Sequence, residues 1–149
     1  MRRIERFTLL AHTGDSDAWP LDSPLLADGE LTSERVPGVE IVEQFEIIAG
    51  YLLVTDYDCP FEETFHFILL DHQLRTVSRR SLGARFSFVP DSQVHLLQEL
   101  RWEDDWHFVV VLTECPECWR FTIRKFSIPY LCPRLSVSRI RIVDDTDTP

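Results

Sequence analysis

The chain has 149 residues, of which 44% are hydrophobic and 11% aromatic, so its length and composition suit one folded domain over residues 1–149. This hydrophobicity excludes a largely disordered chain. The 25 acidic and 15 basic residues give a net charge of −10, which argues against general binding to nucleic acid and against electrostatic docking to anionic lipid.

The first third of the chain is dominated by a polar stretch. Residues 12–38 are rich in Pro, Asp, Ser and Gly and show no sustained periodicity, which predicts an irregular excursion with a short helical turn. Residues 4–10 before it can form one strand. Four apolar side chains within the stretch are expected to pin it onto the domain: Trp19, Leu21, Leu25 and Leu26.

From Val39 onward, short runs of β-branched and aromatic residues alternate with turn residues, and no long window has a helical period. The spacing predicts two four-stranded meanders, over residues 39–82 and 94–143, followed by an acidic tail at 144–149. A faint repeat supports this, because the segment beginning at Tyr51 resembles the one beginning at Trp106. We expect an all-β, antiparallel, two-sheet sandwich of eight or nine strands.

Cellular location is inferred from segments that the sequence lacks. The apolar run at residues 7–11 is too short for a secretory signal, and no run approaches the roughly 20 residues that span a bilayer. Four cysteines are too few for a disulfide scaffold at this length. A reduced, cytoplasmic protein is expected.

The Cys115-Pro-Glu-Cys118 segment is the most motif-like feature. A redox pair expects a helix beside a parallel strand, whereas this segment joins two predicted strands of a hairpin. A zinc site would need Cys59 and Cys132 to converge on it from distant loops. A turn with reduced cysteines is favoured, so no metal or cofactor is predicted.

Histidine chemistry gives an alternative function. His66 and His107 lie in predicted strands, and histidine can serve as a base near neutral pH. The chain contains no GxSxG or HExxH motif, and no catalytic residue is predicted. The alternative is a small ligand-binding or hydrolytic β-barrel enzyme that uses His66 with Asp56 or Glu63.

The acidic loop over residues 56–63 is the strongest candidate site. It lacks the spacing and central glycine of a calcium-binding EF-hand, although its four carboxylates leave calcium possible as a ligand. Paired carboxylates could also act as general acid and base. Aromatic residues interleaved with the acids favour a third role, recognition of a basic partner protein.

Charge is unevenly distributed along the chain. Residues 1–63 hold 14 acids and 4 bases, whereas residues 64–143 hold 8 acids and 11 bases. Arginines such as Arg139 and Arg141 are expected to pair with the N-terminal acids within the fold. An acidic surface would steer a cationic partner and speed association.

Meander geometry extends the candidate site. Alternate connections of a meander fall at one end of the sheet, so loops 56–63 and 114–117 share an end if both meanders point the same way. Asp15, Asp17 and Asp22 are expected to extend the acidic field. The predicted partner-binding residues are Asp56, Tyr57, Asp58, Phe61, Glu62, Glu63, Glu114 and Glu117.

A small, acidic, cytosolic β-domain without a catalytic motif resembles, in overall character, the immunity proteins that neutralise toxins delivered between competing bacteria. The resemblance implies a non-enzymatic module that binds a basic cognate toxin one-to-one and occludes its active site. A monomer or weak oligomer is expected. A third possibility is a subunit of a larger assembly that uses an exposed sheet edge.

Overall fold

The computed structural model describes residues 1–58, 64–83, 96–113, 117–126 and 134–141. Within these residues, no membrane-spanning helix is found. A 3-10 turn covers Ser16–Ala18, and all strand pairs are antiparallel. The described strands are β1 (Arg2–Arg3), β2 (Phe7–Leu9), β3 (Asp22–Ala27), β4 (Glu30–Pro37), β5 (Glu40–Ile47), β6 (Gly50–Asp56), β7 (Thr64–Leu70), β8 (Thr76–Gly83), β9 (Leu97–Trp102), β10 (His107–Leu112), β11 (Glu117–Ile123) and β12 (Leu135–Arg141).

The predicted all-β class and both predicted meanders are confirmed. Strands β5 to β8 follow one another in a central sheet, which β1 extends at the β5 edge. Strands β9 to β12 form a second sheet in consecutive order. The described residues contain twelve strands in place of the expected eight or nine, because the N-terminal region contributes four of its own.

The expected irregular excursion over residues 12–38 is wrong for residues 22–37, which form a hairpin. Strands β3 and β4 join through Asp28 and Gly29, both at positive φ (53° and 82°), which suits a tight two-residue hairpin. With β2 they make a third sheet of order β2-β3-β4. The inward positions of β3 include Ser23, a polar residue that hides the alternating pattern in the sequence.

The central sheet separates two apolar cores. The second meander covers one face of the central sheet, as the predicted sandwich requires, and the N-terminal sheet covers the other face as a third layer. Strand β6 is buried at every position from Gly50 to Thr55, since neighbouring side chains pack into opposite cores. The larger core, between the two meanders, includes Leu52, Val54, Phe67, Phe108 and Phe121. The smaller core, under the N-terminal sheet, includes Phe7, Leu25, Val36, Leu53 and Ile68.

The side chain of Gln44 joins the N-terminal segment to the central sheet. Its Oε1 accepts hydrogen bonds from the backbone N–H groups of Arg6 (2.9 Å) and Phe7 (2.8 Å). Its Nε2 donates to the carbonyl oxygen of Phe7 at 3.0 Å. The amide therefore replaces a missing strand neighbour where the chain passes from β1 to β2.

We expect Gln44→Leu to lower the free energy of unfolding by about 2–4 kcal/mol, because it leaves three partly buried backbone groups without partners. Urea unfolding measures the loss. The control Gln98→Leu, at an exposed position of β9, should change stability by less than about 0.5 kcal/mol. Equal losses in the two variants would contradict the bridging role of Gln44.

Candidate functional site

Contacts between the two meanders show that they point the same way. The Phe45 ring, near the end of β5, packs against the Trp102 ring at the end of β9, with centroids 5.5 Å apart. The backbone N–H of Leu135, at the start of β12, donates to Ser78 Oγ near the start of β8. The last residues of β5, β7, β9 and β11 therefore lie at one end of the fold, and the last residues of β6 and β10 lie at the other.

The N-terminal sheet reaches the end at which β6 finishes. The backbone N–H of Gly38 and the hydroxyl of Tyr57 both donate to the carbonyl oxygen of Leu21, at 3.3 and 3.1 Å. The N–H of Val39 donates to the carbonyl oxygen of Asp56 at 2.7 Å. Gly38 has φ 98°, and a Cβ there would lie 2.5 Å from this oxygen, so glycine permits the close approach.

Carboxylates gather at this end of the fold. Among the residues described, five acids there form no ion pair with a basic side chain: Asp15, Asp17, Glu40, Asp56 and Asp58. Asp22 lies 3.6 Å from the guanidinium of Arg79. We call the surface formed by residues 15–21, Glu40 and residues 56–58 the acidic end. Its uncompensated charge suits a cationic ligand.

Asp56 differs from the other carboxylates because it is half-buried. Burial raises the pKa of Asp56, and the nearby charge of Asp58 acts in the same direction. A hydrogen bond from the Asp58 N–H to Asp56 Oδ1, at 3.2 Å, opposes the rise. A cation bound near this pair would favour the charged form of Asp56.

The predicted partner-binding residues have different outcomes. Asp56, Tyr57 and Asp58 lie together at the acidic end. Glu117 forms an ion pair within the fold, because its Oε2 is 3.0 Å from the guanidinium of Arg139. Four of the predicted residues lie outside the described part of the chain: Phe61, Glu62, Glu63 and Glu114.

The predicted pairing of arginines with N-terminal acids holds at Arg79, which faces Asp22. It is wrong at Arg139, which pairs with Glu117. Within the N-terminal region, the acids are instead neutralised by nearby arginines: Arg2 pairs with Glu46, Arg3 with Glu43 and Arg6 with Asp28. None of these three pairs involves a carboxylate of the acidic end.

Two apolar side chains that were expected to pin the N-terminal stretch are exposed at the acidic end. Leu21 is 74% exposed and Trp19 36% exposed, whereas Leu25 is fully buried. The Trp19 indole N–H donates to the Gly14 carbonyl oxygen at 3.1 Å, and its ring lies 5.5 Å from the His12 ring. Trp19 is therefore held in place while part of its surface faces solvent. In the sequence, the position of Trp19 among acidic residues was the signal that could have indicated this exposed site.

His66 lies on the opposite face of the central sheet from Asp56. Strand alternation turns His66 and its partner Thr55 toward the N-terminal sheet, so the next residue, Asp56, faces the other meander. The His66 Nδ1 lies 2.8 Å from Ser81 Oγ, and burial lowers the pKa of His66. This geometry separates the His66–Asp56 pair of the alternative enzyme hypothesis. Glu63 lies outside the described residues.

The cysteine motif is described only in part. Cys118 is buried in β11, where its thiol donates to the Ile140 carbonyl oxygen at 3.7 Å. Strands β10 and β11 pair as the predicted hairpin. Cys59, Cys115 and Cys132 lie outside the residues that the structure describes, and within those residues no cluster of three or more potential metal ligands is found.

The acidic end thus combines clustered carboxylates, a fixed tryptophan and an exposed leucine at the meeting point of the N-terminal and central sheets. Searches of protein-family models, curated proteins and solved structures gave no match to the chain.

Proposed function

We propose that the chain is a non-enzymatic binding module that docks a basic partner protein on its acidic end. The observation that supports this most strongly is that, among the described residues, two exposed apolar side chains share one end of the fold with carboxylates that form no ion pair. Trp19 and Leu21 supply apolar contact area. Asp17, Asp58 and Glu40 are exposed acids of the same end. Such a combination of apolar anchors and a charged rim is typical of protein interfaces.

The two parts of the surface have separate roles in binding. The carboxylates attract a cationic protein over long range and increase the rate of association. Trp19 loses little conformational freedom on binding, because the Gly14 carbonyl and the His12 ring already fix its position. It is therefore the expected anchor of the complex, and loss of its side chain should increase the dissociation rate.

We further propose a bacterial toxin domain as the partner, bound one-to-one in the cytoplasm so that its active site is occluded. The charge of the acidic end supports a basic partner, whereas the toxin identity follows from the resemblance in overall character to immunity proteins. Co-expression tests it: the chain should rescue growth of cells that produce the captured partner. Failure to rescue would exclude a toxin as the partner. The binding function itself is tested separately, by the crosslinking and binding experiments.

Site-specific photocrosslinking identifies the partner and locates the surface together. A photoreactive benzophenone amino acid at position 21 should capture the partner in cells. The matched control places the same group at position 126, because Leu21 and Phe126 are exposed to similar extents, 74% and 76%. Equal capture at both positions, or capture only at 126, would show that the acidic end is not the interface.

Charge reversal then tests the role of the carboxylates. We expect Asp17→Lys with Asp58→Lys to weaken binding to the captured partner about 10- to 100-fold, mainly through slower association. The control reverses Glu5 and Glu30, two exposed acids outside the acidic end, with the same change in net charge. Surface plasmon resonance at two salt concentrations measures both rates. Equal weakening by the control pair would assign the effect to net charge alone.

Truncation of the aromatic anchor gives a separate prediction. Trp19→Ala should weaken binding by about 2 kcal/mol or more, seen as faster dissociation. The control Phe126→Ala removes another exposed aromatic side chain and should leave both rates unchanged. An unchanged dissociation rate in Trp19→Ala would contradict its anchoring role.

A further inference from the structure

His66 lies directly beneath the acidic end and contacts one of its residues. Its ring meets the Tyr57 ring edge-on, with centroids 5.2 Å apart and planes at 86°. The Tyr57 hydroxyl in turn donates to the Leu21 carbonyl oxygen. A movement of the His66 side chain would therefore act on Tyr57 and, through it, on the segment that exposes Leu21.

The polar surroundings of His66 suit its neutral form. Nδ1 lies 2.8 Å from Ser81 Oγ, and Nε2 is buried with no hydrogen-bond partner among the described residues. A neutral ring can leave one nitrogen as a bare acceptor, whereas a protonated ring carries a donor on both nitrogens. Protonation would thus place an unpaired N–H and a positive charge in a buried position, which is costly.

Charged groups around His66 come from three elements of the described structure. Asp22 of β3 favours the protonated ring, and Arg79 of β8 disfavours it. Arg35 of β4 donates to the Asp22 carbonyl oxygen, and its own carbonyl accepts from Arg79. Asp22 already faces Arg79, so a protonated His66 has to turn toward Asp22 or solvent to find a partner.

We propose that His66 is a pH-dependent switch of the acidic end, whose protonation displaces Tyr57 and the Leu21 segment and so weakens binding of a basic partner. The effect on binding rests on the proposed function. The local rearrangement can occur without a partner, because it involves only His66, Tyr57 and Leu21. The positive charge of a bound partner would repel the positive charge of a protonated His66 ring. The bound state therefore favours neutral His66.

A partner-free NMR titration tests the rearrangement. Between pH 7.5 and 5.0, the Leu21 methyl and Tyr57 ring signals should shift with the same midpoint as the His66 ring. In His66→Gln, which stays uncharged, these shifts should be absent. Two control variants remove the other titrating groups nearby, His12→Gln and Asp56→Asn, and should keep the wild-type shifts. Wild-type signals that stay fixed, or that move equally in His66→Gln, would overturn the switch.

A binding titration with an octa-arginine peptide as the cationic probe tests the consequence. The Kd of the wild-type chain should rise between pH 7.5 and 5.5, approaching about tenfold per pH unit below the pKa of His66. His66→Gln should lose most of this rise. An equal rise in His66→Gln would overturn the switch. Absence of peptide binding at pH 7.5 would instead count against the proposed function, and the NMR titration would still decide the rearrangement.

Discussion

Replacement of Phe67 by alanine is expected to lower the free energy of unfolding by about 3–5 kcal/mol, a large fraction of the stability of a small domain. Phe67 is fully buried between the two meanders. Its ring centroid lies 4.3 Å from that of Phe121 and 6.1 Å from that of Phe108, and the latter two rings stack at 4.7 Å. Truncation would leave a cavity at the centre of this cluster, which neighbouring strands cannot close.

Urea unfolding of Phe67→Ala, with an unchanged m-value, measures the loss as a shift in the denaturation midpoint. Phe126→Ala provides the matched control, since Phe126 is 76% exposed and its removal should cost less than about 0.5 kcal/mol. A loss below about 1 kcal/mol at Phe67 would contradict the packing of the two meanders against each other.

The second large effect is expected at Gly50, where alanine should destabilise the fold by about 3 kcal/mol or more. Gly50 has φ 132°, a conformation that side-chain-bearing residues rarely adopt. A Cβ at this position would also lie 2.0 Å from the carbonyl oxygen of Leu70. That oxygen belongs to β7, so it cannot move away without disturbing the pairing of β6 with β7, two inner strands of the central sheet.

Gly29→Ala separates the two causes. Gly29 also has a positive φ, 82°, but no atom lies within 4 Å of a Cβ built there, so only the backbone cost applies. We expect Gly29→Ala to cost about 1–2 kcal/mol in the same urea measurement, clearly less than Gly50→Ala. Equal losses would show that the contact with β7 contributes nothing.

Both meanders were predictable because their signals are local. Short β-branched and aromatic runs such as the one at β10 mark strands, and turn residues such as Ala49 with Gly50 mark the connections. Strand β6 shows the limit of this approach. Its continuous apolar run is typical of a strand buried on both faces, yet the sequence does not identify which element covers the second face.

The N-terminal hairpin was missed for a different reason. Ser23 occupies an inward position of β3 and is fully buried, because its hydroxyl donates to the Gly38 carbonyl oxygen and lies 2.8 Å from His12 Nε2. Both partners are distant in sequence. A polar residue that becomes satisfied only after folding looks like a loop residue in the sequence.

The sequence predicted the negative charge of the candidate site but only some of the residues that form it. The excess of acids in residues 1–63 and the acidic loop after β6 are readable from the sequence. Which acids remain unpaired depends on the arginines that folding brings near them, as for Glu43 with Arg3 and Glu117 with Arg139. Exposure of Leu21 was likewise invisible, since a leucine in a polar stretch more often packs inward.

The sequence by itself determined the β class, the two meanders and the concentration of negative charge toward the N terminus, because these follow from local periodicity, turn residues and composition. Only the tertiary structure decided that the N-terminal strands cover the second face of the central sheet. It also decided that Trp19, Leu21 and the unpaired carboxylates share one end. These features depend on contacts between residues far apart in the chain, such as Leu21 with Tyr57, and such contacts exist only once the sheets have packed.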